Sequence, residues 1–153
     1  MADPGSPFRL RMARQSDIPQ LAEIERASFT TPWSDTQLAA QLVKPEGRML
    51  AAVGGEVVIA YVSWDVVLDE GQIANLAVRP DWRRRGVATA LCAGLIEHAR
   101  KEGLTRLTLE VQAAKTGARS LYLSLGFVET GRRPGYYQAE KDDAILLDFD
   151  LAE

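Results

Sequence analysis

One stretch constrains this chain more than any other. Residues 73–79 (Ile73-Ala74-Asn75-Leu76-Ala77-Val78-Arg79) read as a largely apolar strand that ends at Pro80, because proline has no N–H to give a sheet ladder. Arg83, Arg84 and Arg85 follow, then Gly86, then Val87-Ala88-Thr89-Ala90-Leu91 with strong helical character. A strand, a basic turn with glycine and a helix opening together make an anion site. The first-turn amides of a helix lack intrahelical acceptors, and the macrodipole adds partial positive charge there. Gly86 and Ala88 are small enough for an anion to approach the backbone. Gly-Lys-Ser/Thr does not follow and Gly-x-Gly-x-x-Gly is absent, so neither the Walker loop nor the dinucleotide fingerprint applies. Taken alone, the stretch is also compatible with a connecting loop whose arginines are solvated.

The chain has 153 residues, 46% hydrophobic and 25% charged, the size and composition of one globular domain with one core. Net charge is −3, so the arginine triplet is a local feature. That excludes general nucleic-acid binding, which needs a broad basic surface. No apolar run reaches membrane-spanning length, so no membrane partner is expected. Cys92 is the one cysteine; it has no internal disulfide partner, which fits a reducing compartment and a cytoplasmic location. With His98 the single histidine, neither a Ser-His-Asp triad nor a metal site is expected. Residues 1–7 contain Pro and Gly without an apolar run, which excludes a signal peptide. They are expected to be a disordered tail ahead of a single domain over 8–153.

Periodicity sets the order of elements. Phe8–Met12 alternates like a strand. Ser16-Asp17 reads as a helix cap with Pro19 in the first turn. Ile18, Leu21, Ala22, Glu25 and Phe29 then recur at helical spacing, and Glu25 is the one polar member. Thr31-Pro32-Trp33-Ser34 breaks that helix. Ser34 and Gln37 form a capping box for a short second helix that ends before Pro45. Strands follow over 49–53 and 57–67, with a hairpin turn at 54–56. Asp69-Glu70-Gly71 turns the chain into the strand ending at Val78. A helix runs from about Gly86 to Lys101, with Gly103 as its stop signal. Leu104–Val111 alternates as a strand, and 116–125 is a fourth helix. A strand runs to about Arg132, a polar loop over 134–143 carries Tyr136 and Tyr137, and a last strand spans 144–151. The order β-α-α-β-β-β-α-β-α-β-β is an α/β fold with an antiparallel meander and helices packed on the sheet. Its β-α-β crossover is parallel and right-handed.

Several short motifs share one likeness. Arg83-Arg84-Arg85-Gly86-Val87-Ala88 fits Gln/Arg-x-x-Gly-x-Gly/Ala, and Leu121-Tyr122-Leu123-Ser124-Leu125-Gly126-Phe127 fits Leu-Tyr-x-x-x-Gly-Phe. Pro32-Trp33-Ser34, Val67-Leu68-Asp69-Glu70, Leu109-Glu110-Val111, and Tyr136-Tyr137 with Asp143-Ala144 accompany them. On these residues the chain resembles the GNAT superfamily of N-acetyltransferases from Phe8 to Leu151. It is most like the RimI-type branch, the ribosomal-protein alanine N-acetyltransferases.

The resemblance implies the GNAT fold: a mixed, mostly antiparallel sheet with helices on both faces. It implies acetyl-CoA as cosubstrate and a protein or peptide N-terminus, such as that of a ribosomal protein, as partner. It implies that the backbone of Leu76, Ala77 and Val78 pairs with the pantetheine arm. Arg83, Arg84, Arg85, Gly86, Val87, Ala88 and Thr89 would cradle the pyrophosphate. Glu110 would be the general base and Tyr122 the general acid, while Trp33, Asp69, Glu70, Tyr136 and Tyr137 would meet the acceptor. Lys115 stands where an asparagine usually touches coenzyme A, so that contact would pass to a flexible point charge.

Without the resemblance, Glu110 reads as a carboxylate on the polar face of a strand. Tyr122 equally suits the edge of a core. Cys92 has no adjacent base and reads as a small buried hydrophobe. Two other functions share these residues: acetylation of a small amine, such as a polyamine, amino acid or aminoglycoside, and a coenzyme A-binding regulatory module without turnover.

Overall fold

The computed structural model describes residues 6–152; of the expected tail over 1–7, all but Ser6 and Pro7 lies outside them. Eleven helices and strands follow in the expected order: β1 (Arg9–Met12), α1 (Ile18–Ser28), α2 (Asp35–Val43), β2 (Gly47–Gly54), β3 (Val57–Val67), β4 (Glu70–Val78), α3 (Val87–Lys101), β5 (Arg106–Gln112), α4 (Thr116–Ser124), β6 (Val128–Tyr137) and β7 (Asp142–Asp150). The strands form one seven-stranded sheet in the order β1-β2-β3-β4-β5-β7-β6. Only β4 and β5 pair in parallel.

Alternation along the central strands loads both faces of the sheet. In β2, Leu50 and Ala52 pack with Leu91, Cys92 and Leu95 of α3. Met49, Ala51 and Val53 pack the other way, against Leu21, Ala22 and Ile24 of α1 and Leu38 of α2. A side chain such as Leu91, fully buried, contributes about 1.5–3 kcal/mol, so packing rather than propensity holds these short helices. The second helix opens as its residues dictate: Gln37 N–H donates to Ser34 Oγ (3.1 Å), and Ser34 N–H donates to Gln37 Oε1 (2.9 Å).

One irregularity positions the site. The β4–β5 register covers only Glu70–Ile73 against Arg106–Leu109. Trp64 faces Ile73 and Ser63 faces Asn75, so Ala74 is an extra residue in β4. Such a bulge bends its strand. Beyond it β4 continues with β3, while Glu110–Gln112 of β5 continue with β7. The sheet therefore splits at the end where β4 meets the basic turn.

Two local expectations change. Asp17 is the N-cap residue of α1, as expected, but its side chain makes no capping hydrogen bond there. Its carboxylate accepts Arg14 N–H (2.9 Å) and is paired with Arg11 (2.7 Å), closing a 3-10 turn over Gln15–Asp17. The polar loop expected at 134–143 is mostly strand: β6 runs to Tyr137 and pairs with Asp142. β6 is an edge strand with an exposed face, so its residues lack the alternating apolar pattern that marks a strand. Pro134 is tolerated there because an edge leaves one row of N–H groups unpaired.

Candidate active site

The basic turn forms as its residues require. Arg84 (φ 61°) and Gly86 (φ 78°) are both left-handed. An added Cβ at Gly86 would meet nothing within 4 Å, so glycine serves its backbone angle and not close packing. Gly86 is the N-cap of α3 and supplies no capping side chain, which leaves the first-turn amides available to a ligand. Val87, Ala88 and Thr89 line a hollow of about 320 Å³ with Val78, Arg83, Arg84 and Gly86. Gly117 and Leu121 of α4 close its far wall.

The three arginines are not equivalent. Arg83 Nε donates to the Val78 carbonyl (3.0 Å), which fastens the turn to the end of β4. Arg85 lies over the Trp82 ring at 4.6 Å. Arg84 lines the hollow. Leu76, Ala77 and Val78 pair with β3 on one side, and their other edge faces the split.

A second cavity, of about 630 Å³, lies between the α1–α2 segment and the β6–β7 turn. Phe29, Trp33, Asn75, Lys115 and Tyr137 line it. Its floor rests on Glu25, which is fully buried. Glu25 Oε1 accepts Trp33 N–H at 2.7 Å, and Oε2 accepts from Asn75 Nδ2 at 3.2 Å. Burial raises the Glu25 pKa, and the Trp33 and Asn75 donors oppose that rise. Lys115 lies at the start of α4 and opens onto this cavity.

A third cavity, of about 590 Å³, contains Glu110. Leu107 and Leu109 of β5 face α3, so the strand period turns Thr108 and Glu110 to the opposite face. Tyr136 and Tyr137 line this cavity too, and Tyr137 is common to both. Arg133 Nη1 lies 3.2 Å from Glu110 Oε1. The Glu110 carboxylate beside the Tyr136 phenol raises that phenol's pKa. Burial raises Tyr137, with the Glu110 charge as the next cause.

Tyr122 enters from the α3 side. It is buried and stacks edge-on with Phe127 at 5.3 Å. Burial raises its pKa well above the ordinary phenol value, so it keeps its proton at neutral pH. Glu110 and Tyr122 thus lie on opposite faces of the sheet, the carboxylate in a cavity and the phenol in the core.

Asp69 and Glu70 lie apart, in a hollow of about 410 Å³ with Thr105, Arg106 and Asp148. Glu70 pairs with Arg106, and Asp69 accepts from Thr105 Oγ1 (3.1 Å). Asp143 accepts Gly135 N–H (2.8 Å) and pairs with Arg132 (2.7 Å). Cys92 is buried in the core, which pushes its thiol up to about 12 and makes it inert. His98 packs edge-on against Trp64 at 5.8 Å. Among the described residues, no group of three or more His, Cys, Asp or Glu is placed to hold a metal ion. Among them too, no helix is long and apolar enough to cross a membrane.

Glu25 and Arg133 are the residues that sequence reasoning missed. The signal for Glu25 was present: a carboxylate at a core position of an otherwise apolar helical stripe is almost never buried without partners. Arg133 gave no such signal, since a polar residue on an edge strand looks solvated.

The model for the "Acetyltransferase (GNAT) family" matches residues 18–127. The chain is 35% identical over 134 residues to the "[Ribosomal protein bS18]-alanine N-acetyltransferase" of Escherichia coli (strain K12), covering 86% of this chain and 90% of the relative. The crystal structure of the ribosomal-protein-S18-alanine N-acetyltransferase from Escherichia coli superposes with a TM-score of 0.88 at 31% identity, covering 95% of each chain. Arabidopsis thaliana NAA60 in complex with acetyl-CoA shares the fold, with a TM-score of 0.87 at 21% identity and coverage of 95% and 99%.

Proposed function

The chain belongs to the acetyltransferase (GNAT) family, and we propose that it acetylates the α-amine of an alanine-type N-terminus on a small-subunit ribosomal protein. It is an acetyl-CoA-dependent N-acetyltransferase. We read residues 8–153 as one such domain acting in the cytoplasm. The observation that carries the choice of acceptor is the trough. The cavities of about 630 and 590 Å³ share Tyr137 in their walls, and Glu110 lines the second. A trough of that extent suits the first residues of a chain better than a lone small amine. The likeness to the bS18-specific relative over 86% of the chain supports the same acceptor.

The residues present fit acetyl-CoA. The left-handed turn at Arg84 and Gly86 and the uncapped start of α3 suit a pyrophosphate. In this reading the amides of Val87, Ala88 and Thr89 hold it, with Arg84 adding charge. Arg83 and Arg85 shape the turn, the first through Val78 and the second against Trp82. The edge of Leu76, Ala77 and Val78 left bare by the split hydrogen-bonds the pantetheine as an added strand would. Lys115 lines the cavity of about 630 Å³ and would have to reach that arm from there. When bound, the cosubstrate supplies an acetyl group activated as a thioester.

The chain's own residues do the rest. A free α-amine has a pKa of about 7.7–8.0, so near neutrality it must shed a proton before attack. Glu110 takes that proton, directly or through a water. Tyr122 holds a proton at its hydroxyl, because burial raises its pKa, and delivers it to the departing sulfur. Trp33, Tyr136 and Tyr137 wall the acceptor, while Asp69 and Glu70, each engaged by a neighbour in a separate hollow, stand outside it. Aligning amine and thioester in one ternary complex supplies much of the acceleration.

Glu110→Gln and Tyr122→Phe test these roles. Each should lower kcat about 100-fold or more and leave acetyl-CoA affinity within about twofold, the two substitutions being nearly isosteric. Full turnover in both variants would overturn the assignment. A panel of polyamines, amino acids and aminoglycosides, run beside an Ala-starting basic peptide, tests the acceptor. Faster turnover of a small amine would replace the proposed substrate, and binding without any product would mark a non-catalytic module.

A further inference from the structure

Glu110 already has a cation beside it. Arg133 Nη1 lies 3.2 Å from Glu110 Oε1, and the guanidinium carbon lies 5.6 Å from the centre of the Tyr136 ring. The other charged side chains of that cavity are engaged with one another or with neighbours. Asp65 is paired with Lys44 (3.0 Å), and Arg106 is paired with Glu70 and with Asp148 (3.4 Å). Arg133 is therefore the cation that any ammonium approaching Glu110 must meet. Two cations sharing one carboxylate repel each other, so the second to arrive either displaces the first or binds poorly.

The backbone lets Arg133 yield. Arg133 pairs with Ala144, the next paired residue is Tyr137, and the register is irregular between them. Pro134 and Gly135 (φ 63°) arch away from β7. Asp143 fastens that arch at one point, through Gly135 N–H at 2.8 Å. The Arg133 side chain is 54% exposed and that of Glu110 30%, and a pair so open to water is held weakly.

We propose that Arg133 is a specificity-determining gate: its guanidinium is the resting counter-ion of Glu110 and gives up that place to the α-ammonium of the acceptor. The inference rests on Glu110 being the base. An acceptor carrying a positive terminus at the right depth moves the guanidinium aside, and a blocked terminus has no charge with which to compete. Arg133 thereby couples recognition of the free amine to release of the carboxylate that deprotonates it.

Calorimetry with two peptides tests this: an Ala-starting basic peptide and the same peptide with its amine acetylated, each bound to the protein with coenzyme A present. Arg133→Gln should tighten the free-amine peptide about two- to fivefold, the worth of a solvent-exposed ion pair, and leave the blocked peptide unchanged. Arg133→Lys keeps the charge and should restore the wild-type preference. In a Glu110→Gln background the Arg133→Gln effect should vanish, as a double-mutant cycle requires of directly coupled groups. Weaker binding of both peptides would make Arg133 a peptide-holding residue and overturn the gate, as would no change in either. Slowed turnover of Glu110→Gln together with an Arg133→Gln effect that persists in that background sinks the gate alone. A Glu110→Gln variant at full turnover removes the base, and the gate goes with it.

Discussion

Replacing Glu25 by alanine should separate the floor of the acceptor trough from the rest of the fold. Glu25 is fully buried, and its two oxygens accept Trp33 N–H (2.7 Å) and Asn75 Nδ2 (3.2 Å). Alanine orphans the Trp33 amide, at a cost of about 1–3 kcal/mol. Asn75 loses less, because its Nδ2 also lies 3.4 Å from the Tyr61 hydroxyl. Against this, removing a buried carboxylate relieves its desolvation. The net loss should be about 2 kcal/mol, or roughly 4–8 °C in Tm for a domain of this size.

Glutamine is the control, because it keeps an acceptor for Trp33 and carries no charge. Since burial raises the folded Glu25 pKa above the ordinary 4.5, the folded state binds more protons than the unfolded one between those two values. The contribution of Glu25 to stability is thus fully present below 4.5 and lost as pH rises through the raised value. Glu25→Gln should match or exceed the wild type at neutral pH, with the gain fading under acid. Urea titrations at several pH values measure this. The KM for an acceptor peptide should rise in the alanine variant while the KM for acetyl-CoA holds. Equal stability of wild type, alanine and glutamine variants at every pH would refute the reasoning.

Two further outcomes follow from the geometry. Gly86→Ala meets no neighbour within 4 Å, so its cost is the left-handed angle alone, about 1–2 kcal/mol. Calorimetry should show acetyl-CoA affinity falling about tenfold if the loop relaxes to escape that strain, and unchanged affinity would mean the angle is not needed. Asp143 has its pKa lowered by Gly135 N–H and then by Arg132. Its stabilisation is present above the ordinary 3.8 and lost as pH falls through the lowered value. Asp143→Ala should therefore flatten the acid side of a Tm-against-pH curve, and an identical acid side would remove Asp143 as the pin of the arch.

The sequence was most legible where one local rule acts alone. Pro80, Gly86 and the apolar stripe of α3 place the strand–turn–helix unit within a residue, because each rule concerns backbone geometry or a single buried face. The capping box at Ser34 and Gln37 is local in the same way. The split itself was less legible. It depends on one bulged residue, Ala74, and alanine carries no signal for a bulge. β6 was cut short because an edge strand needs no alternation when neither face is fully covered. Asp17 stands at the cap as expected, but its side-chain partner was not legible, because Arg11, six residues earlier, claims the carboxylate, and that pairing follows from strand position and not from helix propensity. Among site residues, Glu110 and Tyr122 could be placed on their elements, but that Glu110 opens into a cavity and Tyr122 lies in the core was not legible. Arg133 depends on an arch that only the assembled hairpin defines.

The central claim is transfer to the α-amine of a protein. The most direct measurement incubates the purified chain with acetyl-CoA and a ribosomal protein fraction, then locates each new acetyl group by fragment mass. The account predicts the group on the α-amine of an alanine-starting protein, and its loss with Glu110→Gln and Tyr122→Phe. Acetyl groups confined to lysine side chains or to small amines would contradict it.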